Sequence, residues 1–114
     1  MTPSLGAADG ALDALGNPVR RQIIAMLAPG PRSVGEIAAE LPISRPAVSR
    51  HLRVLEDASL VAFEPRGTSN LFHIDPTGFA AARRWLEPFW DEAMARFQVI
   101  AEATYENGPK EDPE

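Results

Sequence analysis

The sequence contains no cysteine. That excludes disulfides, thiolate metal sites and thiol redox switches within the chain. Histidine is nearly as scarce. His51 and His73 stand apart on different predicted elements, so no transition-metal site is expected within one chain. There is no phosphate-binding glycine loop, no His-x-x-x-His pair and no nucleophile with a partnered base. An enzyme is therefore not expected, and neither is a cofactor. No apolar stretch approaches the roughly 18 residues of a membrane span. The N-terminus lacks a basic segment followed by an apolar run, so no signal peptide is read there. The expectation is a soluble, cytoplasmic protein with no membrane partner. A length of 114 residues and 45% hydrophobic content suit one domain with a small core. A dimer that buries more surface would steady such a core.

Lysine occurs once, against ten arginines, and the net charge is −5. The distribution is uneven. Residues 16–74 carry seven arginines and five acids, a net of +2, while the remaining residues sum to −7. Electrostatic attraction is local, fading over a Debye length of about 8–10 Å. The middle of the chain can thus attract an anionic polymer that the acidic ends do not. Arginine suits bidentate contacts to such a partner.

The most informative stretch is SVGEIAAELPISRPAVSRHLRVL, Ser33 to Leu55. Val34, Ile37, Ala38 and Leu41 form one apolar stripe of a short helix, which Pro42 stops. Ile43 plugs the gap before a second helix. Ser44 caps that helix with its hydroxyl, and Pro46 falls in the first turn, where a missing N–H costs nothing. Ala47, Val48, Leu52 and Leu55 point inward. Arg45, Pro46, Ser49, Arg50 and Arg53 share the outer face, with no acid before Glu56. Two short helices joined by a tight break, the second studded with arginine, are the layout of a DNA-reading helix-turn-helix. Arginine there can grip guanine edges or phosphate, and serine does either more weakly. His51 flanks the inner face and either bonds within the fold or touches phosphate.

Before this stretch, Leu5, Ala8, Leu12 and Leu15 predict a short first helix weakened by Gly6 and Gly10. Asn17-Pro18 starts a second helix, Val19 to Leu27, that Pro29-Gly30-Pro31 ends. Arg20 and Arg21 near its start either reach phosphate or form surface ion pairs. After the stretch, Leu60 to Phe63 and Asn70 to Ile74 predict two strands joined by residues 64–69, with Gly67 supplying the turn. Arg66, Thr68, Ser69 and Asn70 at that tip suit sugar-phosphate or minor-groove contact. Asp75-Pro76 opens the last helix, with a kink or restart expected at Pro88. Its stripe of Phe79, Ala82, Leu86, Phe89, Ala93, Phe97 and Ile100, widened by Trp85, Trp90 and Met94, is too long for so small a domain to bury. A dimer interface with the first helix is the expected outlet. Its candidate residues are Leu5, Leu12, Leu86, Phe89, Trp90, Phe97 and Ile100.

LPISRPAVSRHLRVLEDASLV resembles the recognition region of the ArsR-type winged helix-turn-helix repressors, and LGNPVRRQIIAML resembles their preceding helix. The likeness spans roughly residues 8–105. It implies DNA binding through Ser44, Arg45, Pro46, Ser49, Arg50, His51 and Arg53 on the recognition helix and Arg66, Thr68, Ser69 and Asn70 on the wing. It also implies a homodimer. Metal sensing does not carry over. Where the family places cysteines the chain reads EIAAEL, and the last helix offers Glu87, Asp91 and Glu92 without histidine. A second departure is Ser59, where the family usually has glycine after the recognition helix.

The expected fold is mainly α with a small β-hairpin, a winged helix-turn-helix with N- and C-terminal dimerisation helices. Residues 1–106 would form the DNA-binding and dimerisation domain and residues 107–114 a disordered tail. The expected function is transcriptional regulation by a homodimeric repressor on an inverted-repeat operator in double-stranded DNA. Two alternatives stand beside it. One is a sensor with an apolar ligand near Trp85 and Trp90, the effector being unknown. The other is a protein-interaction module without DNA binding.

Overall fold

Side-chain caps set the starts of the three central helices in the computed structural model, which describes residues 6–107. Asn17 Oδ1 accepts bonds from the Val19 and Arg20 amides, so α2 (Pro18–Leu27) begins where expected. It ends before Pro29 and buries Ile23 and Leu27. Ahead of it, α1 (Ala7–Leu15) buries Ala11 and Ala14, while Leu12 and Leu15 are half-buried against the same core. Leu5 lies outside the described residues. Arg20 and Arg21 each bond a backbone carbonyl, a role the sequence did not suggest. Arg20 Nε donates to the Ala14 carbonyl at 2.6 Å, and Arg21 Nη1 donates to the Leu15 carbonyl at 2.8 Å. They close the C-terminal end of α1, where unpaired carbonyls and the helix dipole favour cations.

A short strand, β1 (Arg32–Ser33), precedes α3 (Val34–Ala39). Ser33 and Glu36 form a reciprocal capping box at the start of α3. α3 ends at Ala39, earlier than Pro42 alone required, and Glu40 caps it and bonds Arg32 at 2.7 Å. Ser44 Oγ accepts from the Ala47 amide and opens α4 (Arg45–Asp57). Val48, Leu52 and Leu55 on its inner face are essentially inaccessible, and with Ile23, Leu27 and Ile37 they make the centre of the core.

α4 ends in a Schellman arrangement. The Leu60 amide bonds the Leu55 carbonyl and the Ser59 amide bonds the Glu56 carbonyl, both at 2.9 Å. Ser59 takes the left-handed conformation this needs, with φ of 58°. The missing family glycine is thus a serine holding a glycine's backbone angle.

Strands β2 (Val61–Arg66) and β3 (Ser69–Ile74) form the hairpin. They are longer than expected. Arg66 pairs with Ser69, so only Gly67 and Thr68 make the turn, and Gly67 supplies the positive φ of 63°. β1 pairs with β3, giving an antiparallel sheet of order β1-β3-β2. A two-residue strand has no alternation to detect, which hid it in the sequence.

α5 runs as one helix from Pro76 to Asn107, through Pro88. The expected restart there does not occur, since proline deletes one backbone bond and its neighbours still hold the helix. The start of α5 is tied down closely. The Gly78 amide donates to the Ser59 carbonyl at 2.7 Å, and a Cβ at Gly78 would collide with the Ala58 and Ser59 carbonyl oxygens. The chain divides into two compact units, the first ending at Arg83 and the second starting at Arg84. Phe79 and Ala82 pack into the core of the first. In the second, Leu86, Phe89, Trp90, Phe97 and Ile100 are exposed. The tail assigned to residues 107–114 lies outside the described residues except for Asn107, which ends α5.

Candidate nucleic-acid interface

The outer face of α4 separates into two rows. Arg45 and Ser49 stand one turn apart, and Pro46, Arg50 and Arg53 form a second row beside them. All five are exposed, and no acid interrupts them. The first row meets the wing. Arg45 and Ser49, the wing residues Thr68, Ser69 and Asn70, and Ser33 and Val34 line one cleft of about 230 Å³. Arg66 is not among them. It lines a separate crevice with Pro31, Glu64, Leu71 and His73. Strand alternation separates Asn70, which opposes Pro65 and so faces away from Glu64, Arg66 and Leu71, whereas Ser69, the partner of Arg66 at the tip, still lines the cleft. The expected wing cluster is therefore split between two crevices.

His51 is half-buried on the flank of α4. Burial, and then the charges of Arg20 and Arg50, push its ring below the usual histidine range. A neutral ring beside two guanidinium groups leaves the local charge positive. Near the cleft, Glu36 accepts the Ser33 backbone N–H at 2.8 Å, and that bond chiefly holds its carboxyl below the ordinary range. Its charge is occupied by the cap.

Ser33, Val34 and Gly35 were not singled out from sequence as parts of this surface. The signal was present: serine three residues before glutamate, ahead of an apolar stripe, marks a helix start that the recognition helix packs against. His73 Nδ1 lies 3.1 Å from the Ile74 carbonyl, a local contact on the wing.

A model of a helix-turn-helix domain family matches residues 15–62, from the end of α1 into β2. The HTH-type transcriptional regulator Rv2034 of Mycobacterium tuberculosis is 46% identical over 95 residues, covering 83% of this chain and 89% of that protein. The chain belongs to the ArsR-type winged helix-turn-helix family of transcriptional regulators. The transcriptional repressor SdpR of Bacillus subtilis is 29% identical over 76 residues, 67% of this chain and 84% of SdpR. Among solved structures, the ArsR family transcriptional regulator RHA00566 superposes with a TM-score of 0.71 at 26% identity, over 82% of this chain and 97% of that one. This ArsR-type protein is thus a transcription regulator with a helix-turn-helix DNA-binding domain, not an enzyme. Its fold is the expected one, with a third short strand added to the wing. Among the described residues no helix is long and apolar enough to cross a membrane.

Proposed function

We propose that two copies of this chain pair through α5 and act in the cytoplasm as a repressor on an inverted-repeat operator. The observation that carries the pairing is the exposed apolar face of α5. Exposure runs from 41% at Met94 to 64% at Phe97, and Trp85 and Phe89 make a tilted ring contact with centroids 4.9 Å apart. A soluble chain rarely leaves so much contiguous apolar surface in water unless a partner covers it. A two-fold pairing makes the same patch serve both copies. Leu12 contributes less than a free interface residue would, since it is already half-buried in its own core.

Each recognition helix would enter one major groove, with Arg50 and Arg53 reaching bases and Ser44, Pro46 and His51 close to backbone. Two-fold symmetry in the protein then requires two-fold symmetry in the site. Repression follows from covering a promoter, the role carried in the name of SdpR. Selection of bound fragments from random DNA tests the reading. The expected product is an inverted repeat with half-sites about 10 base pairs apart or a multiple of that. Enrichment of a single half-site by a monomer would overturn it. A promoter carrying the selected site should be quieter with the protein present, and higher transcription would refute repression.

A further inference from the structure

We infer that Arg45 is a backbone clamp, holding one DNA phosphate in the cleft between the recognition helix and the wing. The inference rests on the DNA-binding reading above and assigns a division of labour within it. Arg45 is drawn back across α3. Its guanidinium atoms stand 3.4–3.7 Å from where a Cβ of Gly35 would be. Those are ordinary contact distances, so the guanidinium rests against α3 at Gly35 without crowding. A base reader must extend outward into the groove, and a guanidinium resting on α3 does not.

The cleft itself has the chemistry of a phosphate seat. Arg45 is the one cation in its lining, Ser49, Thr68, Ser69 and Asn70 are neutral polar residues beside it, Ser33 and Val34 complete it, and no acidic residue is among them. Ser33 is taken up by the α3 cap, since its Oγ accepts the Glu36 backbone N–H and its hydroxyl also bonds the Glu36 side chain, so the donors are those of the recognition helix and the wing. A phosphate asks for this combination of a delocalised, forked cation and several neutral donors from more than one element. Arg50 and Arg53, on the adjacent row, do not line the cleft and are left to read bases. Arg66, the wing's own arginine, lies in the other crevice beside Glu64. The clamp at the wing is therefore supplied by the recognition helix. One phosphate bound there would tie α4 to the wing, so that seating the helix and seating the wing become one event.

Operator duplexes with a single neutral methylphosphonate at each position in turn provide the test, alongside a random duplex of equal length. The full chain is used, and thermal melts confirm that each variant folds. Arg45→Ala should lose about tenfold on operator and random DNA alike and lower the salt slope by about 0.9. Wild type should be sensitive to one methylphosphonate near the wing, and Arg45→Ala should lose that sensitivity. Arg45→Lys should recover part of the affinity, as a point charge without the fork. Arg50→Ala should instead lose affinity for the operator and relax preference at one base pair. The inference is overturned if Arg45→Ala keeps its random-DNA affinity and changes base preference. It is also overturned if Arg66→Ala, and not Arg45→Ala, abolishes the methylphosphonate effect. A wild type with no affinity for any duplex would refute the DNA reading itself, before any variant is made.

Discussion

Two amphipathic helices of this chain follow the same code and end differently. α4 alternates apolar and arginine-bearing faces, and its apolar residues Val48, Leu52 and Leu55 are at most 1% exposed. From Arg84 onward α5 carries larger apolar side chains, yet Phe89, Trp90, Phe97 and Ile100 are 57–64% exposed. The physical demand is the same for both, since apolar area left in water costs roughly 25 cal/mol per Å². α4 meets it within one chain. α5 leaves it unmet within one chain, and that is the argument for a second copy. An apolar stripe marks a face that seeks cover, and its exposure in a single chain is what supports the proposed second copy.

Substitutions on the two apolar faces would separate them most sharply. Phe97→Asp should abolish operator binding with no DNA-facing residue altered. Were α5 the seam, the substitution buries an unpaired charge in both copies, at several kcal/mol each. The dimer dissociates, and the doubled contact set that sets operator affinity is lost. Sedimentation should show a monomer that keeps the helical signature of its domain. A folded dimer with full affinity would mean that α5 is not the seam. On the other helix, Leu52→Ala should lower stability by about 2–5 kcal/mol in denaturant titrations. Its DNA affinity, measured where the protein is still folded, should be nearly unchanged.

The helix-turn-helix was legible because its signals are local and redundant. Ser44 caps, Pro42 bars the first helix from running on, and Val48, Leu52 and Leu55 repeat at helical spacing, all consistent with a break between two helices. The α5 stripe was legible for the same reason, and in the proposed dimer its cover belongs to the second copy. What escaped the sequence depended on contacts between distant segments. Arg20 and Arg21 look like surface cations until α1 ends beside them. β1 exists only because β3 passes alongside. Arg66 and Asn70 look like one cluster until the strand pairing puts them on opposite faces. Ser59 was visible as a departure from the family, but its consequence depended on a backbone angle.

The junction between α4 and α5 offers two further tests of how closely the covered region is fitted. Gly78→Ala places a methyl group against the Ala58 and Ser59 carbonyls. The start of α5 must shift, and the loss should be about 1–3 kcal/mol by thermal or chemical melting. A neutral or stabilising result would mean that the segment gives way easily. Ser59→Gly should act in the opposite direction. The left-handed conformation costs a non-glycine residue roughly 1–2 kcal/mol, and glycine adopts it freely. A gain of about 1 kcal/mol is expected, with DNA affinity unchanged. No gain would show that the serine is not strained.

The smallest expected effect concerns His51, which belongs to both the buried and the DNA-facing sides of α4. Burial, then Arg20 and Arg50, lower its pKa from 6.5 in the folded chain. The unfolded chain therefore holds the ring proton to higher pH than the folded one does. Stability from the neutral ring is fully present above about pH 6.5 and is lost as pH falls from there through the lower folded value. Glu36 and Asp75 also have lowered pKa values, through bonds from Ser33 and Thr77, but they act only below about pH 4.5. Between about pH 7.5 and 5.5 the melting temperature should thus fall slightly, and His51→Gln should remove that component. DNA should act on the same ring with the opposite sign. A phosphate near His51 offsets the two arginines and raises its pKa, so the complex takes up a proton. Operator affinity should rise as pH falls across the window in which stability declines. His51→Gln should flatten both curves. If wild type and variant give parallel affinity profiles, His51 is not near the backbone and serves the fold alone.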